Sequence, residues 1–275
     1  MTVSAPVDMN AVVGTHDLLF VTLDTLRHDV AAELAAAGRT PTLSRVLPGG
    51  RWEPRHSPAS FTYAAHHAFF AGFLPTPTGP GPHPRLFAAA FPGSESTTDG
   101  TWVFDAPDLV TGLSRAGYHT VCLGGVGFFN RRSALGSVLP DLFAEDHWRP
   151  EFGVTSPDPL TAQLDELERV VADTAPGRPL FTFLNVAAMH QPNRHHLPGA
   201  LEDTRDSHAA ALAYVDGHLA RLFALATRRG RPCLAILCSD HGTAYGEDGH
   251  HGHRLGHEIV WTVPYAHFTL RPGDW

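Results

Sequence analysis

The sequence feature that most constrains the fold is an apolar run that ends in a carboxylate and an imidazole. Residues 234–238 read Leu-Ala-Ile-Leu-Cys, and Ser239-Asp240-His241-Gly242 follow directly. A short apolar run bounded by Arg-Pro and Gly is typical of a strand that is buried on both faces. Open α/β sheets bind ligands at the carboxyl ends of their strands. Asp240 and His241 are therefore candidate ligands at the rim of a sheet, although a polar loop after a core strand would carry the same residue types.

The rest of the chain predicts further buried strands that alternate with helices. Apolar strands are predicted at residues 17–24, 118–124, 180–188 and 263–270, and helices at 29–37, 62–70, 108–117, 160–172 and 205–228, with a short helix after Thr40-Pro41. The pattern predicts an α/β fold in which a mostly parallel sheet is sandwiched by helices. We expect an N-terminal arm over residues 1–16 and a single catalytic domain over 17–275. Residues 75–84 predict a surface loop and 141–158 an irregular segment, whereas 86–99 carry no clear pattern.

Composition excludes several classes of function. Hydrophobic residues make up 43% of the chain, which is enough for a core, and no apolar run approaches the ~20 residues of a membrane span. The formal net charge is −8 and no basic block stands out, so we expect no nucleic-acid partner and no membrane partner. Three sparse cysteines in apolar runs and the lack of a secretory signal predict free thiols and a cytoplasmic location.

Chemically useful side chains recur where strands end and where one helix starts. Asp24 ends the first predicted strand, His190 follows the strand at 180–188, and Thr62 stands at the start of a buried helix that Ser60 or Thr62 can cap. Carboxylate and imidazole ligands beside a hydroxyl would suit a divalent metal, which lowers the pKa of a hydroxyl group. Each residue also has a structural interpretation, namely a strand end, a helix cap or the first residue of a loop.

Several motifs resemble the sulfatase branch of the alkaline phosphatase superfamily. Residues 18–29, Leu-Leu-Phe-Val-Thr-Leu-Asp-Thr-Leu-Arg-His-Asp, resemble the first metal-ligand strand of that family, and Thr40-Pro-Thr-Leu-Ser-Arg resembles the turn that follows it. Ser60-Phe-Thr62-Tyr-Ala-Ala-His66 is similar to the nucleophile segment. Ser239-Asp240-His241-Gly242, Gly246-Glu247, His253 and Val263-Pro264 resemble the C-terminal motif in order and spacing. The strand from Gly117 also resembles a family motif, but Gly125 stands where the family has lysine.

The resemblance implies a role for each matching position. It implies that Asp24, Asp240 and His241 bind the metal and that Thr62 is both the nucleophile and a ligand. His66 would lie near the nucleophile. His190 and His253 would contact the transferred anion or the leaving group, although each could be a loop histidine. Arg27 would pair with the carboxylates or bind substrate, or else form a salt bridge at a helix start. A second metal built from His190, His195 or His257 stays open.

One departure from the family decides which chemistry we expect. True sulfatases need Cys or Ser at the nucleophile position, because that residue becomes formylglycine, and Thr62 cannot make this conversion. The resemblance therefore implies a metal-dependent hydrolase or transferase of phosphate or phosphonate mono- or diesters that uses Thr62. The alternatives are a sulfate ester hydrolase, an inactive metal- or anion-binding module, and a mutase that moves phosphate within one substrate.

The side chains predicted to bind the metal indicate which cofactor to expect. Mixed Asp and His ligation suits Zn, Mn or Fe better than Ca or Mg, and we expect Zn or Mn. We expect a small-molecule or modified-peptide anionic ester as substrate, and a homo-oligomer is compatible with the sequence. The chain is shorter than typical family members, so a larger substrate or a partner is expected to complete the pocket.

Overall fold

The computed structural model describes residues 6–72, 85–87, 101–103 and 108–275. The strands are β1 (Asp17–Leu23), β2 (Glu53–His56), β3 (Arg85–Phe87), β4 (Thr101–Val103), β5 (His119–Leu123), β6 (Glu145–His147), β7 (Leu180–Val186), β8 (Cys233–Cys238), β9 (Ala244–Tyr245), β10 (His251–Gly252) and β11 (Thr262–Leu270). The helices are α1 (Met9–Val12), α2 (His28–Ala36), α3 (Pro41–Val46), α4 (Thr62–Ala71), α5 (Leu109–Arg115), α6 (Leu135–Val138), α7 (Pro159–Asp173), α8 (Arg205–Thr227) and α9 (Glu258–Trp261). The loop expected at 75–84 and most of the segment 86–99 lie outside the described residues.

Seven strands form one sheet in the order β2-β11-β8-β1-β7-β5-β6. The five strands from β8 to β6 are parallel, whereas β11 and β2 at the other edge are antiparallel. The predicted α/β fold with a mostly parallel sheet is confirmed. A parallel connection must cross over the sheet, and the long helices α7 and α8 make the crossovers from β6 to β7 and from β7 to β8.

Helices cover both faces of the sheet, and alternate residues of β1 show why. Leu19 and Val21 pack into one apolar cluster together with α2, α7 and α8. Leu18 and Phe20 point the other way and pack with α4 and α5. Successive strand residues face opposite sides, so a strand covered on both faces must be apolar throughout. All seven residues of β1 are buried, as the continuous apolar run predicts.

The order of the strands brings the predicted site residues to one place. β1 lies between β7 and β8, and Thr22 is in register with Asn185 on one side and with Cys238 on the other. These three neighbouring strands run in the same direction, so the residues that follow them leave the sheet at one edge. Asp24, Asp240 and His190 follow β1, β8 and β7 respectively.

Three local features differ from the sequence-based expectations. β6 lies within the segment expected to be irregular, and β2 was not predicted; both are short edge strands, and β2 contains Pro54, which an edge strand tolerates. The capping prediction for α4 is wrong. Thr62 is its first helical residue, Phe61 occupies the N-cap position, and no side chain makes a capping hydrogen bond. Gly72 ends α4 in a left-handed conformation, as predicted.

α8 is the one helix in the described part of the chain that is long and apolar enough, by length and composition, to cross a membrane. Half of the apolar stretch is buried inside the protein. It packs against α2, α3 and α7, and residues such as Leu212 and Leu219 are fully buried. The core helix of a globular domain has the same properties, so the helix by itself indicates no membrane span.

Candidate metal centre and active site

Asp24, Asp240 and His241 form a buried group of potential metal ligands. One ligand atom from each residue lies within 4.8 Å of the others, and all three side chains have no solvent exposure. Among the residues that the structure describes, no other group of three or more His, Cys, Asp or Glu side chains meets this geometry. The sequence predicted these three residues as ligands because each follows a buried parallel strand.

Each carboxylate has one oxygen held by the protein and one without a hydrogen-bond partner. Asp24 Oδ2 accepts a hydrogen bond from Asn185 Nδ2 at 3.0 Å. Asp240 Oδ1 accepts from the backbone N–H groups of Thr25 at 3.1 Å and His241 at 3.0 Å. Asp24 Oδ1 and Asp240 Oδ2 are buried and have no hydrogen-bond partner among the residues that the structure describes. Buried carboxylate oxygens are costly unless paired, so two such oxygens in one group fit a bound cation.

The hydrogen bond of His241 leaves its other ring nitrogen free to bind a metal. His241 Nδ1 lies 2.9 Å from the carbonyl oxygen of Gly242, which can only accept, so Nδ1 carries the proton. The lone pair is then on Nε2, which lies 3.4 Å from Asp240 Oδ2. A metal-ligating histidine usually donates its second nitrogen in this way.

Electrostatics inside the group also favour a cation. Burial and the neighbouring Asp240 carboxylate raise the pKa of Asp24 well above its usual value. Two buried carboxylates in contact resist being ionised together. A divalent ion would remove that penalty, so the chemistry of the donor set fits the metal that the sequence predicted.

Thr62 places its hydroxyl at this group. The Oγ1 atom lies 3.3 Å from His241 Nε2, and the residue is only 2% exposed. Because Thr62 does not cap its own helix, the hydroxyl is not engaged by the first turn of α4. Thr62 also lines a cavity of about 570 Å³. A buried hydroxyl that faces both the ligand group and an open cavity is suitably placed to attack a bound ester.

His190 and His253 line the same cavity as Thr62. The ring of His253 lies 4.5 Å from that of His241 and 5.5 Å from that of His190, measured between centroids. Burial, followed by the charge of His241, lowers the pKa of His253 to about 4. Burial also lowers the pKa of His190. The structure therefore brings both predicted residues to the cavity as neutral imidazoles.

His66 lies behind Thr62 and does not line the cavity. Its Nδ1 lies 2.7 Å from the carbonyl oxygen of Thr62, and its Nε2 lies 3.0 Å from Thr22 Oγ1. Phe129 and Phe183 pack edge-on against the ring, and burial lowers its pKa. Both nitrogens are engaged by the protein, so this position favours a structural role in holding Thr62. The predicted catalytic role of His66 stays a prediction.

At the start of α2, Arg27 forms salt bridges with two carboxylates. Its Nε and Nη2 donate to Asp29 at 2.9 Å and 2.7 Å, and its Nη1 donates to Glu247 at 2.5 Å. The guanidinium group is buried and pairs with neither Asp24 nor Asp240. Of the interpretations left open by the sequence, this geometry favours the helix-start salt bridge.

The other histidines considered for a second metal lie apart from the ligand group. His195 is exposed and stacks on His196, with ring centroids 4.3 Å apart. His257 Nδ1 accepts from the backbone N–H of Ile259, and its Nε2 contacts Asp248 at 3.0 Å. In the ranges that the structure describes, neither belongs to a ligand group of three.

Two further residues at the site were missed by the sequence reasoning. Asn185 lies inside β7, where a lone amide in an apolar strand was the available signal, and it holds Asp24. Arg254 lines the cavity beside His253, and its position next to a predicted site residue was the only clue. Gly125, which replaces the family lysine, packs on Asn185: a Cβ atom there would lie 2.4 Å from the Asn185 carbonyl oxygen.

Sequence and structure comparisons identify the family. The family model described as Sulfatase matches residues 16–266, so the chain belongs to the sulfatase family. The family recognised from the motifs is thereby confirmed. It lies within an enzyme superfamily of transferases and hydrolases that act on phosphate and sulfate esters, and the fold generally binds a divalent metal. Comparison with curated proteins found no match.

Several solved structures share the fold. The C-terminal periplasmic domain of phosphoethanolamine transferase EptC from Campylobacter jejuni has a TM-score of 0.62 at 13% identity, covering 94% of this chain and 80% of that one. The corresponding Escherichia coli domain, in complex with Zn, has a TM-score of 0.62 at 14% identity, with coverages of 95% and 74%. Lipoteichoic acid synthase LtaP from Listeria monocytogenes has a TM-score of 0.58 at 16% identity, covering 94% of this chain and 66% of that one. These identities show similarity of fold alone.

The predicted cytoplasmic location and the absence of a membrane partner gain no support from these comparisons. Two of the similar structures are periplasmic domains, and a third belongs to an integral membrane protein, phosphoethanolamine transferase EptA from Neisseria meningitidis. Both points stay predictions from composition.

Proposed function

We propose that this protein is a metal-dependent hydrolase or transferase of phosphate or phosphonate mono- or diesters that uses Thr62 as its nucleophile. The observation that carries the proposal is the position of the Thr62 hydroxyl, 3.3 Å from His241 Nε2, within the buried Asp24, Asp240 and His241 group. Two unpartnered carboxylate oxygens in that group support a bound cation. Asp24, Asp240, His241 and Thr62 would hold the ion, and the donor set favours Zn²⁺ or Mn²⁺.

The reaction would proceed in two displacements. Thr62 Oγ1 forms a bond to phosphorus while the bond to the ester oxygen breaks, and the leaving group departs as an alcohol. Water or a second alcohol then takes the phosphoryl group from Thr62 and regenerates the hydroxyl. A bound divalent ion would lower the pKa of the Thr62 hydroxyl and offset the charge on the transferred group. Positioning and electrostatics dominate in this type of chemistry.

His190 and His253 would bind the oxygens of the ester. His190 Nδ1 lies 2.6 Å from the carbonyl oxygen of Gln191, so Nδ1 carries the proton and Nε2 is available to accept one. Both imidazoles are neutral in the free enzyme at neutral pH, so neither carries a permanent charge. His190 Nε2 can donate to an ester oxygen only after it takes up a proton. An anionic substrate would favour their protonated forms and thereby allow one of them to protonate the leaving group.

A covalent-trapping experiment tests the proposal. Protein stripped of metal and reloaded with Zn²⁺ or Mn²⁺ would be incubated with aryl phosphate mono- and diesters and analysed by intact-mass and peptide mass spectrometry. We expect a phosphorylated Thr62 peptide, and a loss of turnover by several orders of magnitude in Thr62→Ala. Ser60→Ala is the matched control, because Ser60 lies two residues away and its side chain makes no hydrogen bond to any described residue. Full turnover in Thr62→Ala would contradict a covalent route through this residue.

The same assay separates the competing functions. Adding an alcohol acceptor tests transfer against hydrolysis, a comparison suggested by the phosphoethanolamine transferases and the lipoteichoic acid synthase of similar fold. Turnover of aryl sulfates without turnover of aryl phosphates would support the sulfate ester alternative. Bound metal without turnover of any ester would support a binding module.

A further inference from the structure

The lining of the cavity beside Thr62 includes an apolar part and an arginine. Its apolar lining comes from Val126, Phe128, Leu135 and Val154. Arg254 is the only arginine among the described residues that line it. An apolar cavity with a few placed polar groups is typical of a small-molecule site, and the polar groups set which ligands bind.

The described part of the chain supplies no other cationic side chain to the lining of this cavity. The sequence contains no lysine. Arg27 is engaged by Asp29 and Glu247. A lysine cannot replace Gly125, because a Cβ atom there would clash with the backbone of Asn185. Among the described side chains that line the cavity, Arg254 is therefore the one that can bind an anion through a permanent positive charge.

The backbone fixes Arg254 beside the nucleophile segment. Its N–H donates to the carbonyl oxygen of Ser60 at 2.8 Å, two residues before Thr62. Its φ of +68° is a left-handed conformation, which is uncommon for a residue with a side chain and here turns the chain next to the cavity. The guanidinium carbon lies 5.8 Å from the ring centre of Phe61. The side chain thus has a defined place at the cavity.

Arg254 differs from the ligand group in exposure and in pairing. Asp24, Asp240 and Thr62 are buried, whereas Arg254 is exposed, so it stands at the mouth of the cavity. It forms no ion pair with any carboxylate in the described part of the chain. An unpaired guanidinium group at a cavity mouth is suited to a carboxylate or phosphate, to which it can donate two parallel hydrogen bonds.

We infer that Arg254 binds a second anionic group of the substrate, separate from the ester that Thr62 attacks. The substrate is then an ester that carries a further carboxylate or phosphate, joined to the scissile group by a hydrocarbon segment that the apolar lining accommodates. Arg254 is a specificity-determining residue in this scheme. The inference rests on the proposed function, because it assumes that the scissile group lies at Thr62.

Binding of non-hydrolysable phosphonates tests the inference without turnover. The probes are ω-carboxyalkylphosphonates of increasing chain length and the matching ω-carboxamides, measured by calorimetry on metal-loaded protein. For at least one chain length we expect the carboxylate to bind about tenfold more tightly than the amide, because a charge-assisted hydrogen bond is gained. Arg254→Gln should bring this ratio close to one. In Arg254→Glu, an ω-aminoalkylphosphonate should bind more tightly than the carboxylate.

Arg132→Gln is the matched control. Arg132 is also exposed, adjoins the cavity residue Ser133 and lies over an aromatic ring, that of Trp148, but does not itself line the cavity. Arg132→Gln should keep the native ratio of affinities for the ω-carboxylate and the ω-carboxamide. Equal binding of carboxylate and amide at every chain length, or an unchanged ratio in Arg254→Gln, would overturn the inference and leave the proposed function standing. Failure of every phosphonate to bind metal-loaded protein would contradict the proposed function, and the inference with it.

Discussion

Replacing Asn185 with leucine should weaken metal binding, because this amide holds one of the proposed ligands. Asn185 Nδ2 donates to Asp24 Oδ2 at 3.0 Å and to Thr22 Oγ1 at 3.1 Å, while its Oδ1 accepts from the backbone N–H of Val126 at 3.0 Å. The residue is fully buried, so water cannot replace these bonds. Leucine has a similar volume, and Asn185→Leu therefore removes hydrogen bonds and creates little cavity.

The size of the effect follows from those bonds. The lost hydrogen bond to the Asp24 carboxyl group and the unsatisfied N–H of Val126 together should lower the free energy of unfolding of the metal-free protein by about 2–4 kcal/mol. Removing a partner that orients a ligand typically weakens metal binding about 10–100-fold. We expect that loss of affinity for Zn²⁺ or Mn²⁺ in Asn185→Leu, since Asp24 would no longer be held in place.

The assay compares Asn185→Leu with Thr22→Val. Affinity is measured by competition with a chelating indicator, and stability by urea unfolding in the presence of chelator. Thr22→Val removes the hydroxyl that links Asn185 to His66 but leaves the contact of Asn185 with Asp24 in place. It should lose stability yet keep its metal affinity to within about threefold, well short of the loss expected for an orienting partner. Equal affinities in the two variants would refute the reasoning, because Asn185 would then act on stability alone.

Three further predictions follow from the same geometry. Gly242→Ala should lower the free energy of unfolding by about 3 kcal/mol, since a Cβ atom there would lie 2.1 Å from the carbonyl oxygen of Ile259. At Gly112 in α5 a Cβ atom meets no atom within 4 Å. Gly112→Ala should therefore raise the free energy of unfolding by about 0.5–1 kcal/mol in the same urea titration. A divalent ion at about 100 times its Kd should raise the free energy of unfolding by about 2.7 kcal/mol, and Asp240→Asn should abolish that shift in thermal melts. Burial, followed by the charge of Arg27, lowers the pKa of His208 from 6.5 to about 3; below about pH 6.5 the unfolded chain takes up a proton that the folded protein does not, so stability is present above that pH and falls as the pH drops. Between neutral pH and about pH 5, His208→Gln should lose less unfolding free energy than the native protein. An equal loss in the two proteins would contradict the role of His208 in this pH dependence.

Much of the sheet was predictable, because central parallel strands are buried on both faces. The apolar runs that became β1, β7 and β8 are typical of strands buried on both faces, whereas their order in the sheet, β8-β1-β7, was decided only by the tertiary structure. β2 and β6 gave no such signal. They are short edge strands whose pairing is decided by their neighbours in the sheet, and the sequence Glu-Pro-Arg-His of β2 has no apolar periodicity.

The candidate site also has features that the sequence predicted and features that only the structure showed. Asp24, Asp240 and His241 could be placed at one edge of the sheet from sequence, because the carboxyl ends of parallel strands lie at the same edge. The adjacency of β1 and β8 was shown only by the structure. The burial of His66 behind Thr62 and the pairing of Arg27 with Asp29 depend on how α4 and α2 rotate against the sheet. Sequence order does not fix such rotations, so the same motif positions were open to both catalytic and structural roles.

The sequence by itself determined the class of fold, the family and the identity of the proposed metal ligands, since these depend on local hydrophobic pattern and on motif spacing. Only the tertiary structure decided, among the residues it describes, which carboxylate oxygens lack a hydrogen-bond partner, which imidazoles face the cavity and which arginine stands at its mouth. Hydrogen bonding, burial and exposure arise from contacts between segments far apart in the chain, such as Asp24 with Asn185 and Ser60 with Arg254, and no local pattern encodes them.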